Sequence, residues 1–321
     1  MKHLMTGLVA ATALATAAQA QQEIVVGHAL SPESHYGVGA QAFIDTLTEL
    51  SGGAFTGRQA PSSALGGERD MIEGLQIGSV DVVITSTGPL GNFVPEVLVL
   101  DLPFLFSDYT HARSTLDGEI GRELLDRVDE NDLVGLAWTE NGFRHVTNSR
   151  RAVNAPEDLS GLKLRTMENR VHMAAFTELG AAPTPMAWPE VFTSLQQGVV
   201  DGQENPITVI TAARFWEVQN YLTLTGHVYS PAIVLASPFL IDPLTDEERG
   251  WFYEAARASA AATRAEVDRL EEAGVALLRD NGMEVITEID RAPFQALAEA
   301  SWAVYTDQFG RDMIDRILAA E

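Results

Sequence analysis

Strand-forming and helix-forming stretches alternate along this chain, and that alternation narrows the folds open to it more than any other feature. EIVVGHAL (23–30) is an apolar, β-branched run that enters a polar turn. HYGVGAQAFIDTLTELSGG (35–53) follows, with Val38, Phe43, Ile44 and Leu47 at helical spacing and a glycine stop. GERDMIEGLQIGSVDVVITSTGPL (67–90) then reads as a helix, a terminator at Gly78 and an apolar strand ending in Ser86 and Thr87. Such an order predicts an α/β architecture with largely parallel sheets. The stretch 244–282 reads as one long helix, with Thr245 as N-cap, acidic residues in its first turn and a stop at Gly282. Its length exceeds what one domain usually needs, so it is expected to bend or to link two lobes. MEVITEI (283–289) returns as a strand, and a helix from Ala292 closes the chain.

An internal echo supports the two-lobe reading. Leu75-Gln-Ile-Gly-Ser-Val-Asp81 and Leu195-Gln-Gln-Gly-Val-Val-Asp201 share the pattern L-Q-x-G-x-V-D. Each sits at a helix end, where glycine can take the left-handed cap and turn the chain into a strand. Two lobes built alike and facing one another make a cleft beyond the carboxyl ends of their strands, where ligands bind in open α/β sheets.

Address and charge exclude several functions. Residues 1–20 carry Lys2, the apolar run LVAATALATAA and the small-residue pattern Ala18-Gln19-Ala20, the marks of a secretory signal peptide cleaved after Ala20. No later stretch is apolar enough to span a bilayer. The chain has no cysteine, which rules out disulfides and thiolate metal sites and favours a bacterial periplasm. A formal charge of −24 argues against nucleic acid and anionic lipid as partners. The same field repels small anions at long range, so an anion site here must be built from local donors.

Catalytic signatures are missing: there is no H-E-x-x-H, G-x-S-x-G, Walker loop or dinucleotide-binding glycine pattern. His28, His35, His145 and His172 lack metal-ligand spacing, so no metal site is expected. Arg144, after the apolar LVGLAW, and Arg165, in GLKLRTMENR, are both read as strand-end residues. A guanidinium there either holds a ligand carboxylate through parallel hydrogen bonds or pairs with one of the many Asp and Glu side chains. Trp188 precedes a helix that opens at Pro189-Glu190, and it either stacks on a ligand or anchors the core. Asn205, held extended by Pro206, can offer its amide to a ligand oxygen.

Four segments together resemble the substrate-binding proteins of TRAP (tripartite ATP-independent periplasmic) transporters: SSALGGERDMIEGLQIGSVDVV, GFRHVTNSRRAVNAPEDLSGLKLRTMENR, LGAAPTPMAWPEVFTSLQQGVVDGQENP and ARFWEVQNYLTLTGHVYSP. The resemblance implies a two-lobed periplasmic binding protein fold with a ligand cleft between lobes and a long helix spanning both. It divides the chain into lobe I (23–142 plus 231–270) and lobe II (143–230 plus 271–321). It implies Arg165 as carboxylate clamp, Arg144 as a second basic contact, Asn205 as ligand amide and Trp188 as pocket wall. Glu68, Ser86 and Thr87 match positions that choose among substrates, and His35 lies near the first-lobe entrance. Glu168, near the clamp, is expected to favour a hydroxyl-rich or ammonium-bearing acid over a dicarboxylate. The implied role is capture of a small organic acid by a monomer without cofactor, and its delivery to small and large integral membrane permease subunits. An exported enzyme or a ligand-sensing protein using the same cleft are the alternatives.

Overall fold

The structure, a computed structural model, describes residues 21–320; the expected signal peptide and its cleavage site lie outside the described residues. The elements run β1 (Gln22–His28), α1 (His35–Leu50), β2 (Phe55–Ala60), α2 (Glu68–Gln76), β3 (Val82–Ser86), α3 (Thr87–Leu90), α4 (Tyr109–Asp117), α5 (Glu119–Asp129) and β4 (Val134–Asn148). They continue with β5 (Lys163–Thr166), α6 (Arg170–Glu178), β6 (Ala182–Pro185), α7 (Trp188–Gln196), β7 (Gly202–Pro206), α8 (Ile207–Ala212), β8 (Tyr221–Thr223) and β9 (Tyr229–Ala236). The chain ends with α9 (Pro238–Ile241), α10 (Asp246–Asp280), β10 (Glu284–Ile286), α11 (Ala292–Ala298), α12 (Ala303–Phe309) and α13 (Asp312–Leu318).

Two sheets share one long strand. Along β4, residues 134–143 pair antiparallel with β9, and residues 144–148 pair antiparallel with β7 and β8. The first sheet runs β2-β1-β3-β9-β4 and the second β4-β7-β5-β6, with β8 beside β4 and β10 beside β8. The largely parallel sheets read from the sequence are therefore mixed. Pairs β1–β2, β1–β3, β5–β6 and β5–β7 are parallel, whereas every pair made by β4 or β9 is antiparallel. The reason is that β4 runs from one sheet into the other and β9 inserts antiparallel between it and β3, instead of alternating with helices, a property of pairing that local patterning does not encode.

The echoed motifs do the same work in each sheet. Gly78 and Gly198 take the left-handed conformation, at φ 74° and 69°, and turn α2 and α7 toward the strands that follow. The aspartate that closes each motif then reaches sideways: Asp81 Oδ2 accepts from Val25 N of β1, and Asp201 Oδ2 from Lys163 N of β5, at 2.9 and 3.0 Å.

Helix α10 is the brace expected from its length. Thr245 caps it, donating to and accepting from Glu248 in a capping box, and Gly282 follows its end at φ 94°. Its first half packs on α1, so closely that a Cβ at Gly39 would collide with Thr263 Oγ1. Its second half packs on α8, where a Cβ at Gly274 would collide with Ile207. The closing helix breaks into α11, α12 and α13, with Gly310 at φ 73° between the last two. Tyr305, Ile314 and Ile317 join the core beneath α2, α4 and α5, and Arg316 pairs with Glu123 at 2.7 Å. The chain end, expected wholly with lobe II, thus packs its apolar face on α2, α4 and α5.

Candidate ligand site

Arg165 is placed by strand alternation. In β5, Leu164 is fully buried in one core cluster, so Arg165 emerges on the opposite face and points toward the other lobe. Its Nε and Nη2 donate to Met186 O at 3.0 and 2.7 Å, and its guanidinium lies 6.0 Å from the Trp188 ring centre. Of five N–H donors, two are used this way, and among the described residues no carboxylate pairs with the group. Burial lowers its pKa to about 10, against the opposing pull of Glu204, which still leaves it a cation at neutral pH.

The cavity in front of Arg165 takes residues from both sheets. Glu68, Tyr36, Asn141 and Asn205 supply polar groups; Ala29, Leu30, Met167, Trp188 and Val209 supply an apolar wall. Glu68 opens α2 behind the left-handed Gly66 (φ 101°), and its Oε1 accepts from Ser86 N at 2.8 Å and Thr85 Oγ1 at 3.1 Å. Asn205 lies opposite His145 at the end of β7 and lines the cavity, but its Nδ2 donates to Gln203 Oε1.

Tyr36 and Asn141 carried no reading in the sequence. Asn141 sits in a bulge of β4 between Glu140 and Gly142, with Gly142 at φ 115°. The bulge re-aims its amide into the cleft. There Oδ1 faces His35 Nε2 at 3.0 Å, Nδ2 donates to Ser86 Oγ at 3.2 Å, and the backbone carbonyl accepts from Thr208 Oγ1 at 2.8 Å. The Asn-Gly pair inside this strand is the signal that could have found it. Tyr36 OH lies 3.3 Å from Ser86 Oγ, and burial raises its pKa far above the usual tyrosine range.

Other sequence-derived residues stand behind the cavity. His35 does not line it; fully buried, with its pKa lowered to about 4 by desolvation, it holds Asn141 as a neutral Nε2 donor. Ser86 ties Tyr36 to Asn141, while Thr87 turns away and donates to Asp101 Oδ1 at 2.9 Å. Arg144 lies mid-strand rather than at a strand end, where β4 changes partners, and its guanidinium is paired through two nitrogens with Glu204, one contact measuring 2.7 Å. His227 adds a 3.1 Å contact to Glu204. Burial alone would raise Glu204, but Arg144 and His227 hold it well below the usual carboxylate range. Arg144 therefore does not reach the cavity as a second basic contact. Glu168 is half-buried and outside the lining, with its carbonyl accepting from Asn92 Nδ2 of the facing lobe at 2.7 Å. That removes the basis for a substrate preference set by its carboxylate.

Contacts across the cleft hold the lobes together. Asn169 Nδ2 donates to Asp101 Oδ2 at 2.9 Å, and Met167 packs so closely on Gly88 that a Cβ there would lie 2.6 Å from Met167 Cε. Among the described residues no group of three or more His, Asp or Glu side chains is arranged to hold a metal ion, and no helix is long and apolar enough to cross a membrane.

Comparisons with known proteins bear on the family and the fold. Residues 26–308 match the family described as bacterial extracellular solute-binding protein, family 7, DctP. A solute-binding protein of Verminephrobacter eiseniae is 48% identical over 96% of this chain and 91% of its own. A TRAP periplasmic solute-binding protein of Polaromonas sp. JS666, solved with D-erythronate, superposes with a TM-score of 0.92 at 47% identity, covering 93% of this chain and 99% of that one. A Bordetella TRAP periplasmic solute-binding protein, with density assigned to pantoate, gives a TM-score of 0.92 at 50% identity, covering 94% of this chain and all of the other. The chain belongs to the DctP family, the periplasmic solute-binding proteins of TRAP transporters.

Proposed function

We propose that this protein captures a small organic acid in the periplasm by clamping its carboxylate on Arg165, and passes it to the small and large permease subunits of a TRAP transporter. The observation that carries the reading is a buried guanidinium, 2% exposed, that faces an interlobe cavity without a carboxylate partner among the described residues. Such a cation calls for an anion, and the parallel donors of arginine fit a carboxylate. Asn205, Glu68 and Trp188 complete the contacts, with His35 and Ser86 acting through Asn141. Lobe I would comprise 23–142 plus 231–270, and lobe II 143–230 plus 271–302, with residues 303–321 returning to lobe I. A ligand bridging the lobes shifts the population toward the closed form by binding it better. Uptake then draws on an ion gradient, and the protein releases its ligand unchanged, acting by capture and not by catalysis. Acid-bound structures of relatives 47% and 50% identical support an acid ligand here.

The test is thermal unfolding of residues 21–321 with a panel of hydroxy acids, sugar acids, keto acids and dicarboxylates. A ligand at a hundredfold excess over its Kd adds about 2.7 kcal/mol to native stability. A large upward shift in Tm confined to one class of acid is expected; a panel that leaves Tm unmoved contradicts the reading.

A further inference from the structure

The charges that reach the cavity select among acids. Among the described residues, Arg165 is its one lining cation, because Arg144 is engaged by Glu204. The lining also holds one carboxylate, Glu68, whose Oε1 is occupied by Ser86 N and Thr85 Oγ1 while Oε2 accepts no hydrogen bond among the described residues. A ligand carboxylate on Arg165 completes one ion pair and leaves Glu68 wanting a donor. A hydroxyl group supplies that donor. A second carboxylate would meet Glu68 with no cation to offset it, in a site where burial makes like charges costly.

Length is limited by Trp188. It walls both this cavity, about 20 Å³, and a neighbouring groove of about 350 Å³ between the lobes, which also share Ala29 and Leu30. Trp188 stands between them, half-buried, braced by Phe215 at 5.8 Å between ring centres.

Resting on the Arg165 clamp, we propose that the protein is selective for short hydroxylated monocarboxylates, with Glu68 demanding a hydroxyl donor and rejecting dicarboxylates, and Trp188 closing the site to longer acids. Calorimetric titration of the mature protein with D-erythronate, pantoate, succinate and D-glucuronate tests it. The better of D-erythronate and pantoate should bind at least about a hundredfold more tightly than succinate or D-glucuronate, a ratio within reach of a site built to hydrogen-bond a hydroxyl. Glu68→Gln keeps an oxygen for Ser86 N but loses the charge, and should narrow the preference over succinate at least about tenfold. Trp188→Ala should narrow the preference over D-glucuronate. Wild-type protein that binds succinate as tightly as the hydroxy acids overturns the proposal even if neither variant folds, as does a Glu68→Gln variant with an unchanged preference. Failure of every acid to bind would instead overturn the Arg165 clamp on which the proposal stands.

Discussion

Arg144 and Arg165 are both strand arginines at the junction of the lobes, and both are almost wholly buried, 1% and 2% exposed. They differ in what faces them. Arg144 meets Glu204 through two nitrogens, with His227 steadying the same carboxylate. Arg165 meets a main-chain carbonyl and an aromatic face. A buried charge with its partner built in holds structure together; a buried charge without one is paid for by the fold and must be completed from outside. Two residues that look alike in sequence are thereby divided between framework and function.

The largest expected effect follows from breaking the framework arginine. Arg144→Ala leaves Glu204 buried beside His227 and His172 without its main counter-charge, and should cost about 3 to 5 kcal/mol of stability. Urea unfolding measures this, and a loss under about 1 kcal/mol would mean that Arg144 is not structural. A smaller effect sharpens the contrast by pH. His35 is held neutral with a pKa near 4, below the ordinary 6.5, so the unfolded chain takes up its proton first as the medium acidifies. Its stabilising contact is thus fully present above pH 6.5 and is lost progressively as pH falls toward 4. His35→Gln should flatten the decline in stability between about pH 7 and 5, by on the order of 1 to 2 kcal/mol relative to wild type. Equal slopes in parallel unfolding curves would refute the neutral, Asn141-bound form.

Much of this was legible in the residues alone. The long helix showed itself through Thr245, its acidic first turn and Gly282, because capping chemistry is local. The repeated L-Q-x-G-x-V-D turn was legible for the same reason, and Arg165 and Trp188, singled out in the sequence, both line the cavity. What stayed hidden depends on partners distant in sequence. Glu204 lies 60 residues from Arg144, and nothing near Arg144 announces it. The mixed sheet follows from one strand, β4, that pairs in both sheets, and the packing of Tyr305 and Ile317 on α2, α4 and α5 follows from contacts far away in sequence. Asn141 went unread; its one local signal is Gly142, whose positive φ sits in the strand's bulge and turns the amide inward.

The division between the two arginines is tested most directly by titrating D-erythronate and pantoate calorimetrically into wild-type protein and Arg165→Ala, with urea unfolding of the same two proteins alongside. Affinity should fall by on the order of 2 to 5 kcal/mol while stability without ligand changes little or rises, since an unpartnered guanidinium leaves the interior. Unchanged affinity in the variant, or a collapse in stability on the scale expected for Arg144→Ala, would contradict that division.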